Sequence, residues 1–126
     1  MITEIWHIGN DIRTLGPELE TLNTLHRFRL ANLLEHIGHV LKDIHYQLGT
    51  GCDPRYQKQL PLLSEELYFK LASLLGEVEA GSLAGHFRSL QPEQLLPSRS
   101  YEAHELALLE EAAGHFLETS KRIRLN

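Results

Sequence analysis

Eight histidines are spread over 126 residues, and one of them, His39, stands at helical spacing from an acid and a base. Glu35 precedes it by four residues and Lys42 follows it by three. Side chains three and four apart share one face of a helix. Histidine as a type titrates close to neutrality, and an exposed one can carry a proton, accept a phosphoryl group or bind a metal. A lysine one turn further on can stabilise negative charge on transferring oxygens. Two other constellations compete. Glu35/His39 and Glu111/His115 are Glu-x-x-x-His pairs, and carboxylates and histidines projecting into a bundle can hold metal ions, although the usual spacing is three rather than four. His104 falls on the same flank as Glu111 and His115. Arg29 and His36 lie two turns apart on nearly one side of a helix and form a third pair. Cys52 is the single cysteine, which excludes both an intramolecular disulfide and a cysteine-rich zinc site. No glycine-rich phosphate loop, nucleophile elbow or Cys/His dyad occurs. The chain therefore reads as no conventional enzyme, and it requires no cofactor and no metal.

Helices must position these residues. Apolar residues recur at spacings of three and four, and no period-two run survives five residues. An opening helix is expected over 3–14, built on Ile5, Trp6, Ile8, Ile12 and Leu15 and broken by Gly16-Pro17. Pro17 suits the first turn of the next helix, where its missing N–H costs nothing. That second helix is expected to run from Pro17 to about Leu48, with Leu19, Leu22, Leu33, Ile37, Val40, Leu41 and Ile44 on its apolar stripe. His26 falls on this stripe and reads as a core or half-buried histidine. Gly49 is expected to close the helix as a left-handed cap. A connection over 55–63 leads to a third helix from Ser64, its expected N-cap, to about Glu79. A short helical piece follows at about 83–90 and a loop at 92–100. The last helix, about 101–123, places Leu109, Ala112, Phe116 and Ile123 on one stripe. The fold expected is all-α, an up-down four-helix bundle with one long central helix and a short extra helix, in one domain spanning 1–126.

Opposite the apolar stripe of the central helix, at about 100° per residue, project Thr24, Phe28, Asn32, Glu35, His39, Lys42, Asp43 and Tyr46, with Leu25 at the edge. His39 thus points away from the core. From it the chain reads His39-Val-Leu41-Lys42-Asp43-Ile-His-Tyr-Gln-Leu48-Gly49. This run resembles the signature of histidine-containing phosphotransfer (HPt) domains, in which a phosphorylatable histidine is followed by x-Leu-Lys-Gly and, a turn or more later, by another glycine. Those domains are four-helix bundles of about this length. The resemblance covers these eleven residues and the overall architecture. It implies His39 as phosphoryl acceptor, Lys42 as the cation beside the phosphate, and a receiver domain as partner, docking on the apolar contact offered by Phe28 and Leu25. Asp43 stands where the family has its first glycine. Arg29 with His36 resembles the signature of HEPN ribonucleases, though Leu30 stands where a polar residue commonly follows the arginine.

Lysine and arginine number 12 against 17 aspartates and glutamates, a net charge of −5. That balance argues against a nucleic-acid partner, whose binding leans on clustered positive charge. The basic run Lys121-Arg122-Ile123-Arg124 reads as cations complementing the dipole at a helix end. No apolar run approaches the roughly 20 residues a membrane span needs, and the first residues carry an early acid and no basic stretch. The expectation is a cytoplasmic signalling module. The alternative is a non-catalytic adaptor or regulator that binds another protein or a second copy of itself. A HEPN-like ribonuclease or a metal-binding bundle ranks below both.

Overall fold

The computed structural model describes residues 2–19, 23–50, 60–78 and 101–125. Those residues fold as an all-α bundle of helices α1 (Ile2–Leu19), α2 (Thr24–Thr50), α3 (Leu60–Val78) and α4 (Ala103–Leu125), with no strand among them. The expected short piece at 83–90, the loop at 92–100, and Cys52 lie outside the described residues. α2, the longest at 27 residues, packs on both α3 and α4, and α4 in turn packs on α1. Trp6 meets Glu111 while Arg13 meets Arg122, so α1 and α4 run parallel. Ala31 meets Ser120 while Gly38 faces Leu117 and Ala113, so α2 runs antiparallel to α4. Glu77 at the end of α3 lies beside Arg29 near the start of α2, which reverses the chain once more.

The core joins Ile5, Ile8 and Ile12 of α1, Leu30, Leu34, Ile37, Leu41 and Ile44 of α2, Leu67, Leu71 and Leu74 of α3, and Leu109, Ala112, Phe116 and Ile123 of α4. The stripe read from α4 is buried at every position named. On α2, Ile37, Val40, Leu41 and Ile44 are buried as expected, and Leu33 is half-buried at the edge. Small residues allow α2 and α4 to cross closely. A Cβ on Gly38 would stand 2.6 Å from Leu117 Cγ and 3.3 Å from the Ala113 carbonyl oxygen. Nearby, the buried Ser120 hydroxyl donates to the Ala31 carbonyl at 2.7 Å.

Four boundaries differ from the sequence reading. α1 does not break at Gly16-Pro17; it continues to Leu19. Proline cannot donate to the carbonyl four residues back, which here belongs to Arg13, and Arg122 of α4 donates to that carbonyl instead at 2.8 Å. α2 accordingly starts at Thr24 rather than Pro17. Asn23 is its cap, with Oδ1 accepting from the His26 N–H at 2.9 Å, a geometry asparagine supplies better than Gly-Pro. Leu19 therefore belongs to α1, and Leu22 lies outside the described residues. α3 begins at Leu60 with Pro61 in its first turn, where proline is most at home, and Ser64 is a buried interior residue rather than the cap. Gly49 lies within α2, which runs to Thr50 with no left-handed turn at the glycine.

His26 is also not in the core. Its side chain is 50% exposed and 4.0 Å from Glu77. No side chain from Thr24 to Arg29 is buried, so the first turns of α2 lie at the edge of the core. The Arg122 contact yields a prediction. Arg122→Ala should cost about 1 kcal/mol in the natural chain and measurably less in a Pro17→Ala background, where residue 17 donates to the Arg13 carbonyl itself. Equal costs in both backgrounds, measured by urea unfolding, would dismiss the proposed repair.

Candidate functional site

His39 lies in the middle of α2, and the residues that follow it explain its orientation. Val40 and Leu41 are buried in the core. Successive side chains are about 100° apart, so burying those two turns His39 outward, and its side chain is 61% exposed. Lys42 and Asp43, one turn on, are exposed as well. A long helix anchored on its other face by Leu34, Ile37, Leu41 and Ile44 holds the imidazole on a rigid support.

The ring has a charged neighbour. Glu35 Oε1 approaches His39 Nε2 at 3.7 Å, and the other carboxylate oxygen of Glu35 accepts from Arg124 at 2.5 Å. Arg124 also donates to Asn32 Oδ1 at 2.6 Å. The last turn of α4 thus lays a guanidinium across the outer face of α2, beside His39. Reading the basic run only as a complement to the helix dipole misses this cation. Its one sequence signal is the presence of arginine at the end of the helix that also carries the Leu109–Ile123 stripe; which face of α2 it meets follows only from the crossing.

The rival constellations are otherwise engaged. Arg29 pairs with Glu77 of α3 at 3.2 Å, which ties it to the α2–α3 seam, while His36 is exposed. Glu111 accepts from the Trp6 indole N–H at 2.9 Å, His115 stacks edge-on against Trp6, and His104 stands 3.1 Å from Glu102. Two of the three flank residues thus engage Trp6, and the third faces Glu102. Among the described residues no three histidine, cysteine, aspartate or glutamate side chains stand close enough to hold a metal ion.

His115 is the chemically unusual histidine of that flank. Its Nε2 is buried without a hydrogen-bond partner, and its Cβ faces Gly9 of α1. Burial, followed by the Arg13 charge, lowers its pKa, against the opposing pull of Glu111 and Glu118. The unfolded chain, whose histidine titrates at about 6.5, therefore takes up a proton before the folded one does. The stability His115 contributes is whole above that pH and is lost as pH falls through the folded value. His115→Leu should flatten the loss of stability between about pH 7 and 5 relative to the natural chain, as read from urea midpoints. Parallel pH profiles for the two proteins would contradict the assignment.

Phe28, Leu25 and Tyr46 complete the outer face of α2 as exposed apolar side chains above and below His39. The face thus combines a presented imidazole, cations from two helices and apolar contact area. Comparison with protein-family models, with curated proteins and with solved structures finds no match for this chain.

Proposed function

We propose that this chain is a helical signalling module that accepts a phosphoryl group on His39 and passes it on, with Lys42 as the neighbouring cation. The observation that carries the reading is the outward presentation of His39 by the buried Val40-Leu41 pair, with Lys42 exposed one turn on. A ring nitrogen of His39 attacks the phosphorus of an aspartyl phosphate in line. The bond from phosphorus to the aspartate oxygen breaks, the carboxylate leaves, and the imidazole proton is released to solvent. Lys42 stabilises charge on the equatorial oxygens. The partner is a receiver domain that seats on Phe28 and Leu25, the setting is the cytoplasm, and no cofactor takes part. No helix among the described residues is long and apolar enough to cross a membrane.

One feature favours a second reading. Asp43 and Glu35 put two carboxylates on the face that would receive the phosphate, and repulsion from them suits an adaptor that only binds protein through the same apolar residues. Label transfer separates the two. A phosphorylated receiver domain from the same cell should label this protein in an acid-labile, base-stable form, as a phosphorus–nitrogen bond requires. His39→Gln should abolish the label, Lys42→Ala should slow its appearance, and Asp43→Gly should speed it. His36→Gln should leave it nearly intact, because His36 projects about 60° away around the helix. If no receiver labels the chain and His39→Gln still binds its natural partners, the adaptor reading replaces phosphotransfer.

A further inference from the structure

The carboxylate beside His39 is a resident anion in the place where a phosphoryl group would lie. Glu35 bridges two groups: one oxygen faces His39 Nε2 at 3.7 Å and the other accepts from Arg124 at 2.5 Å. A phosphoryl group bonded to Nε2 would fill the space between that nitrogen and the carboxylate, and so would come within reach of the same guanidinium. Arg124 is held there by a second anchor, Asn32 Oδ1 at 2.6 Å, one turn before Glu35 on α2. Lys42 lies one turn beyond His39 on the other side. The acceptor nitrogen is thereby flanked along α2 by a cation from its own helix and a cation from α4.

We propose that Arg124 is the anion clamp of the His39 site, exchanging the Glu35 carboxylate for the phosphoryl oxygens once His39 is modified, so that the end of α4 responds to phosphorylation on α2. The inference rests on His39 being the acceptor. Three physical facts favour the exchange. Guanidinium presents a planar fork that matches carboxylate and phosphate oxygens alike, which makes a swap between them geometrically inexpensive. Phosphorylation of a neutral imidazole adds nearly two negative charges, which repel Glu35 and draw Arg124 in the same step. Glu35 and Arg124 are both partly exposed, so breaking their pair gives up an interaction of the weak surface class. At rest, Glu35 serves as a placeholder that keeps the guanidinium aimed at the site without leaving an unpaired cation next to the imidazole.

Phosphoramidate tests this without a protein partner. The phosphorus–nitrogen bond of the reagent breaks, ammonia leaves carrying the proton, and a new phosphorus–nitrogen bond forms at His39. Intact-protein mass spectrometry with peptide mapping follows the modified His39 and its half-life at neutral pH in the full chain. Arg124→Ala should shorten the half-life about fivefold, the reach of an exposed charge pair, and Arg124→Lys should restore part of it. Glu35→Gln, which keeps the size of the side chain but frees the clamp, should lengthen it. In the natural protein the Arg124 Nε–H resonance should shift on phosphorylation, and in His39→Gln it should not. Melting temperatures measured alongside identify any variant that fails to fold; should Arg124→Ala do so, Glu35→Gln and the resonance decide. If His39 is modified and its half-life is the same in all these proteins, the clamp is refuted while His39 stands as acceptor. If His39 takes no phosphoryl group from the reagent, the acceptor reading and the clamp fall together.

Discussion

Gly38→Ala should destabilise the protein by about 1–3 kcal/mol, although alanine in an open helix interior is worth about 1 kcal/mol more than glycine. The sign is set by the α2–α4 crossing. The new methyl would stand 2.6 Å from Leu117 Cγ, 2.7 Å from Leu117 Cδ2 and 3.3 Å from the carbonyl oxygen of Ala113. The γ-carbon is close to its own backbone and cannot swing aside as a chain tip can, and the carbonyl belongs to the hydrogen-bonded ladder of α4. Either the helices separate, which strips contact from Ala31, Ala113 and their neighbours, or Leu117 leaves its rotamer. Gly38→Val should cost more than Gly38→Ala, because two further methyl groups enter the same seam. Gly114→Ala is the internal control: a Cβ there meets nothing within 4 Å, so it should stabilise by about 0.5–1 kcal/mol. Urea unfolding of the three variants measures the set. Should Gly38→Ala prove as stable as Gly114→Ala, the close crossing described here is wrong.

The parts of the fold legible in the sequence are those decided by local periodicity. Leu109, Ala112, Phe116 and Ile123 share a face at helical spacing, and nothing distant can move them off it while the helix holds. The same logic turns Ile37, Val40, Leu41 and Ile44 inward and His39 outward. What was not legible depended on partners far along the chain. Gly16-Pro17 carries a strong local stop signal, yet the carbonyl that proline leaves unbonded is satisfied by Arg122, 109 residues from Arg13, and the helix continues. His26 lies in phase with the core stripe and is nevertheless exposed, because it sits in the first turn of α2, where no side chain from Thr24 to Arg29 is buried. Ser64 has the chemistry of a cap, but Pro61 opens the helix a turn earlier. At the candidate site the split is the same: His39 and Lys42 could be read from α2 alone, whereas Arg124 joins them only through the antiparallel crossing of α4. Glu35 was visible as a neighbour of His39, but its second partner was not.

Phe116→Ala should be among the most damaging single truncations, costing about 3–5 kcal/mol. Phe116 is fully buried and heads the largest side chains of the core. It also sits where α1 meets α4: a Cβ on Gly9 would approach its ring at 3.2 Å. Removing the ring therefore opens a cavity on the side of α4 that holds α1, and α1 packs chiefly on α4. Gly9, which faces the ring, has no side chain with which to fill that cavity. Ile37→Ala, on the α2 side of the core, should cost about 2–5 kcal/mol by the same mechanism but should leave the α1–α4 seam intact. Trp6 distinguishes the two outcomes. It is the single tryptophan, it lies on α1, and its indole donates to Glu111 of α4, so its fluorescence reports that seam. In Phe116→Ala the tryptophan signal should change at lower urea than the helical circular dichroism, as α1 loosens first; in Ile37→Ala the two signals should move together. Coincident transitions in both variants would mean that α1 is bound into the bundle as firmly as the other helices, and that Phe116 stabilises the whole core rather than this seam.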